Sequence, residues 1–237
     1  MTTQVGVTRN LWSTQQSGLM VPKRMNLPLD SLELFLPLWH PELSGASFKS
    51  KDLNAQACVA VGGPQDSQGR VFDGDDYITM TGASQLDFTG DFSIVYHVKH
   101  SGLAGHQYII VRGTDGVAGY RIFHHSGGAV YFSTWNASGE QQSNTAANTV
   151  VVGTWYTIGH TRIGATVTTF RNGIDVSNVQ ATHVSPVSNN EIAHVGESNE
   201  GTTRLTANLS MFMACSKALT AREHSHIHNM AKRRDFY

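Results

Sequence analysis

Along most of the chain, hydrophobic positions fall in short runs that alternate with polar ones, the period-2 pattern of half-buried strands. The segments "LELFLPLWHPEL" (32–43), "QACVAVGG" (56–63), "YITMTG" (77–82), "DFSIVYHVKH" (91–100) and "QYIIVRG" (107–113) carry it. So do "GYRIFHHSGGAVYFSTW" (119–135), "TVVVGTWYTIGHTRIGATVTTFRNGIDVS" (149–177), "IAHVGES" (192–198) and "ANLSMFMACSKAL" (207–219). Turn residues separate these runs at the spacing of a sandwich or barrel. Gly127-Gly128 predicts a tight hairpin. Asn172-Gly173 in "RNGID" predicts a type I′ turn, which needs positive φ at its central residues. Near the C-terminus the period changes. Thr220, with Glu223 three residues on, forms a capping-box pattern that opens a helix over "AREHSHIHNMAKRR".

Residues 1–31 show neither period. Val5, Leu11, Trp12, Met20 and Val21 are scattered among Thr, Gln and Ser, and Pro22 and Pro28 interrupt any helix. This segment reads as an extended arm that gains burial from its own domain or a neighbouring chain. Residues 32–237 read as one domain, since 237 residues suit a single large all-β unit. The 23 glycines and abundant Thr, Ser, Asn and Val agree with short strands joined by turns.

Charge narrows the partners. With 17 basic and 18 acidic residues the net charge is −1, so no overall field draws the chain to nucleic acid or anionic lipid. No run reaches the roughly 18 apolar residues of a membrane span. The opening "MTTQVGVTRNLWSTQQSG" lacks the basic and apolar regions of a secretory signal. Any location on a virion or extracellular surface would then be reached without a Sec signal peptide, with assembly in the cytoplasm if viral. Cys58 and Cys215 match no zinc or redox spacing. They read as buried free thiols; a bond between them would require neighbouring strands, which the spacing leaves open.

Four segments, in order, resemble laminin-G-like, concanavalin A-like jelly-roll domains. They are "GRVFDGDDYITM" (69–80), "LDFTGDFSIVYHVK" (86–99), "GTWYTIGHTRIGATVTTFRNGIDV" (153–176) and "LTANLSMFMACSKALTAREHSHIHN" (205–229). The resemblance covers about residues 32–230 and implies an all-β, two-sheet antiparallel sandwich with its termini close together. Tyr77, Ile78, Met80, Phe92, Ile94, Tyr96, Val151, Trp155, Tyr156, Ile158 and Phe212 supply large apolar groups at strand spacing for its core. This fold hosts lectins, glycanases and structural modules alike.

The candidate chemistry is sparse. Asp73, Asp75 and Asp76 precede a strand, so alternation places Asp76 opposite the other two, and a turn-shaping role is expected. Calcium at Asp73 and Asp75 would need further oxygen ligands from distant loops, and no cofactor is expected. Glycanases of this fold class carry Glu-x-Asp-x-x-Glu on one strand, with carboxylates about 5 Å apart for double displacement. Nothing in the chain matches, and Glu140, Glu197 and Glu200 stand in loop-like context. The expectation is a protein that is not an enzyme. His224 and His228 share a helical face without the HExxH pattern, which reads as a solvated face. His124 and His125 must face opposite ways on a strand.

Sugar binding calls for exposed aromatic rings flanked by hydrogen-bonding groups. The first hairpin supplies Tyr120, Arg121, His125, Tyr131, Trp135 and Asn136, and Trp135 with Asn136 at the strand end is the foremost candidate. Two function classes fit. One is a structural or decoration protein on a larger assembly such as a virus or phage particle, held by its arm to other subunits or copies of itself. The other is a free carbohydrate-binding module or adhesin with cell-surface glycans as partners. A glycoside hydrolase ranks third.

Overall fold

The structure, a computed structural model, describes residues 27, 29–114, 116–186, 192–198, 201–202 and 204–234. Val5, Leu11, Trp12, Met20 and Val21 of the expected arm lie outside the described residues. The described strands are β1 (Leu32–Pro37), β2 (Ser47–Lys49), β3 (Ala57–Val61), β4 (Arg70–Asp73), β5 (Tyr77–Met80), β6 (Phe92–His100), β7 (Gln107–Thr114) and β8 (Ala118–His124). They continue with β9 (Val130–Asn136), β10 (Gly139–Thr145), β11 (Trp155–Ile163), β12 (Thr166–Arg171), β13 (Ile174–Asp175), β14 (Ser177–Val179), β15 (Ala193–Val195) and β16 (Thr206–Cys215), before helix α1 (Ala221–Arg234).

Two antiparallel sheets stack face to face. The first runs β1-β16-β6-β11-β12-β13, with β4 also paired to β16; the second runs β14-β10-β9-β8-β7-β15-β5-β3-β2. First and last strands are neighbours in the first sheet, so the two ends of the domain meet. Alternation along β6 sends Phe92, Ile94, Tyr96 and Val98 into the core between the sheets, where they join Ile110, Ile122, Phe132 and Ile158. In β16 the register shifts between Leu209 and Met211, and the parity shifts with it. Ala207 and Leu209 before the bulge, and Phe212 and Ala214 after it, therefore all reach this core.

The opposite parity builds a second apolar layer on the first sheet's outer face: Phe35, Val95, Met211, Met213 and Cys215, closed by Leu27, Leu219 and Ile227. Helix α1 is the lid. Its capping box forms as the spacing predicts, with Thr220 N donating to Glu223 Oε2 (2.7 Å) and Glu223 N donating to Thr220 Oγ1 (3.3 Å). The His224–His228 face is not solvated, which corrects the sequence expectation. His224 is buried, stacks on Phe170 (4.2 Å) and bonds Thr161 Oγ1 (2.8 Å), while His228 bonds Thr157 Oγ1 (3.0 Å). Gly159 makes this approach possible, because a Cβ there would collide with the His224 ring.

Several expectations are amended. Leu27 packs with the sandwich and Ser31 O accepts from Ser216 N (2.8 Å), although the pattern grouped both with the arm. Val151 is exposed and adds nothing to the core. Cys58 and Cys215 are buried and free, one in the core between the sheets and the other in the layer under the helix. Burial pushes each thiol up to about 12, so both are unreactive near neutral pH. Asn172 (φ 55) and Gly173 (φ 83) adopt the expected I′ conformation between β12 and β13.

Candidate functional site

The outer face of the second sheet differs from that of the first. Register places Tyr108, Phe123, Tyr131, Asn144 and Val179 side by side in one row across β7, β8, β9, β10 and β14. The next row on the same face runs Val111, Arg121, Ser133 and Gln142, and the one beyond it pairs Trp135 with Glu140. Phe123 lies parallel to Tyr131 (centroids 4.9 Å, 7°) and to Tyr108 (5.5 Å, 27°), so the three rings stand like a stack of cards. Stacking covers both faces of Phe123. Tyr131, half-buried at the end of the stack, is the register partner of Asn144 on β10.

Arg121 organises the middle of this face. Its guanidinium lies 5.1 Å from the Trp135 ring centroid, 5.4 Å from Phe123 and 5.9 Å from Tyr108, and donates to Glu140 Oε1 at 2.8 Å. Gln142 Nε2 bridges Ser133 Oγ (3.2 Å) and Glu140 Oε1 (3.4 Å). Exposed His106 and half-buried His125 close the other end, with His106 stacked on Phe123 (4.7 Å) and His125 6.0 Å from Tyr131.

The foremost sequence candidate is corrected. Trp135 is only 1% exposed, its indole N–H donates to Thr114 O, and Arg121 covers its ring; it supports the face instead of presenting a stacking surface. Asn136 accepts from Ser138 N (2.8 Å) and shapes the β9–β10 turn. Tyr120 points inward, donating to Leu86 O (3.0 Å). Arg121, His125 and Tyr131 do share the outer face. They are joined by Tyr108 and Phe123, which the period-2 pattern could have placed there, and by Gln142 and Asn144, which it could not. "GEQQSNT" has no apolar alternation and reads as loop, yet it is a full strand, β10.

The aspartates are corrected too. Oxygen atoms of Asp73, Asp75 and Asp76 all lie within 4.8 Å of one another. Strand alternation does not separate them because β4 ends at Asp73 and the chain bends at Gly74 (φ 112). Buried Asp76 accepts from Gly63 N (2.6 Å) and Asp73 N (2.9 Å), so it fastens the bend. The interaction between the other two raises the Asp75 carboxyl and lowers that of Asp73. Glu197 is buried and engaged by His194 Nδ1 (2.9 Å) and Arg204 Nε (3.1 Å).

Beneath the face, histidines form a polar spine across the core. His100 Nε2 meets His124 Nδ1 (2.6 Å), His124 Nε2 meets the Tyr96 hydroxyl (2.7 Å), and His160 links that hydroxyl (3.4 Å) to Thr169 (3.1 Å). His183 bridges Thr134 (2.9 Å) and Ser143 (2.8 Å). Burial lowers the pKa of each: His160 to about 3, His100 and His183 to about 4, and His124 well below its ordinary value. His124 and His125 face opposite ways, the first fully buried and the second half-buried.

Solved structures share this sandwich. The chain superposes on a Trypanosoma rangeli sialidase with a TM-score of 0.69 at 12% identity, covering 92% of this chain and 39% of that one. The binding domain of Paraclostridial Mosquitocidal Protein 1 gives 0.65 at 18% identity, with 84% and 52% covered. The binding domain of botulinum neurotoxin DC in complex with SialylT gives 0.54 at 14%, with 85% and 52% covered. The chain thus spans about two fifths of the sialidase and half of each binding-domain structure, and identities this low show the fold alone. Among curated proteins none matches. Residues 72–223 match the family described as the concanavalin A-like lectin/glucanases superfamily, and with that match, which spans more than half of its length, the chain belongs to that superfamily.

Proposed function

We propose that the protein is a non-catalytic carbohydrate-binding sandwich whose binding surface is the outer face of β7–β10. The carrying observation is the row Phe123–Tyr131–Asn144: a half-buried ring beside an amide on a rigid sheet, with Gln142, Arg121 and Glu140 in the adjoining rows. A pyranose has apolar C–H faces that suit such a ring and hydroxyls that suit the flanking amide and charged groups. Two of the similar structures are binding domains, one of them in complex with SialylT, which supports the reading. Absence of catalysis is supported by the carboxylates themselves. Glu140 is tied to Arg121, and Glu197 is buried between His194 and Arg204, so each of these carboxylates is already engaged by a basic partner.

A glycan array probed with the wild-type chain and with Tyr131→Ala tests this. The expected result is retention of the wild type on at least one glycan and loss of about tenfold or more in the variant, a deficit of about 1.4 kcal/mol. Equal retention by both overturns the site. The reading requires no cofactor, so a calcium chelator is expected to leave binding and melting temperature unchanged. Display on a larger assembly such as a virus or phage particle extends the proposal. It is supported by the sequence of residues 1–26, where Val5, Leu11, Trp12, Met20 and Val21 are scattered among polar residues without strand or helix period. Deletion of residues 1–26 is expected to abolish incorporation and spare the sandwich.

A further inference from the structure

We infer that the β7–β10 face selects uncharged sugars over carboxylate-bearing ones, and that Glu140 is the residue that sets this preference. The inference rests on the glycan-binding reading and adds its ligand class. The arginine at the centre of this face is already matched: Arg121 is met by Glu140 at 2.8 Å. His106 adds no compensating charge at neutral pH, because the partial desolvation of its ring against Phe123 and its neighbours His125 and Arg121 lower its pKa. A sugar carboxylate approaching Arg121 would have to displace Glu140 or lie against it, and two carboxylates sharing one site repel.

An uncharged pyranose meets no such conflict. Seated against Tyr131, it faces Asn144 in the same row, and Gln142 and Glu140 on the same strand, β10. Among the described residues the Asn144 side chain makes no hydrogen bond, so its amide is available to donate and accept. Glu140 is exposed and accepts; the Arg121 guanidinium donates. A hydroxyl pair can give one proton to Glu140 and take one from Arg121 without breaking the ion pair, which a carboxylate cannot do.

The test uses matched pairs on one array at neutral pH: glucosides, galactosides and mannosides, each beside its uronide oxidised at C6. The probes are the wild-type chain, Tyr131→Ala and Glu140→Gln, each first checked for an unchanged melting temperature. The wild type is expected to bind at least one hexoside about tenfold or more tighter than its uronide. Glu140→Gln leaves Arg121 without its carboxylate and is expected to narrow or reverse that ratio. A wild-type preference for the uronide, or a ratio that Glu140→Gln leaves unmoved, overturns the charge selection while leaving sugar binding at Tyr131 intact. Binding that survives Tyr131→Ala, or binding to no pair at all, overturns the site itself and this inference with it.

Discussion

The two sheets present opposite solutions to the same problem. Each has an inner face sealed in the core, but the outer face of the first sheet is built from Phe35, Val95, Met211, Met213 and Cys215 and is roofed by α1. The outer face of the second carries Arg121, Ser133, Glu140, Gln142 and Asn144 around a stack of three rings. A face of methionines must be covered to be stable in water. A face of amides, a paired arginine and upright rings can stay open. The difference teaches where to look for function in a sandwich: on the face whose side chains have no need of a cover.

Acid is expected to have the largest effect, because it attacks the core on which both faces stand. His100, His124, His160, His183 and His224 all have pKa values lowered by burial from an ordinary 6.5. In the unfolded chain they take up protons that the folded chain refuses. The stability they represent is thus fully present above about pH 6.5 and lost as pH falls toward about 4. At about pH 5 the loss is on the order of 2 kcal/mol for each of His100, His160, His183 and His224, with His124 acting in the same direction, and together this rivals a whole domain's net stability. Urea midpoints measured from neutral to mildly acidic pH are expected to fall steeply, and a flat profile would contradict the buried spine.

Ile227→Ala comes next. It opens the roof of the first sheet and is expected to cost about 2–4 kcal/mol in equilibrium unfolding while leaving glycan retention unchanged. Thr220→Ala removes the helix cap and is expected to cost about 1 kcal/mol, again without effect on binding. Tyr131→Ala inverts the pattern. On the open face it is expected to change unfolding free energy by less than about 1 kcal/mol and to remove binding. A Tyr131→Ala protein that is severely destabilised yet binds normally would erase the distinction between the faces.

The same contrast governs what the sequence made legible. Strands such as β6 and β16 announce themselves because both of their faces are buried or half-buried by apolar groups. The capping box at Thr220 and the Asn172-Gly173 turn are local signals and formed as read. Strand β10 was silent. Its outward residues Glu140, Gln142 and Asn144 are polar, its inward Ser143 is satisfied by His183, and nothing in "GEQQSNT" alternates in hydrophobicity. Trp135 and Tyr131 lie on one face and look equivalent in sequence. Arg121 over the indole and Thr114 O at its N–H cover Trp135, whereas Tyr131 stays half-buried. The buried histidines were equally hidden, since their partners lie 24 or more residues away in sequence for His100, His124 and Tyr96. Residue type predicts exposure for such groups, whereas a threonine, serine or tyrosine on a distant strand makes burial tolerable.

The most direct measurement is chemical-shift mapping on the isotopically labelled full chain, titrated with the oligosaccharide best retained on the array. The account predicts shifts concentrated on the Tyr131 ring, the side-chain amides of Gln142 and Asn144 and the backbone of β8–β10, with α1 and the Asp73–Asp76 bend unchanged. Shifts centred on the helix or on the aspartate bend, with Tyr131 silent, would contradict it.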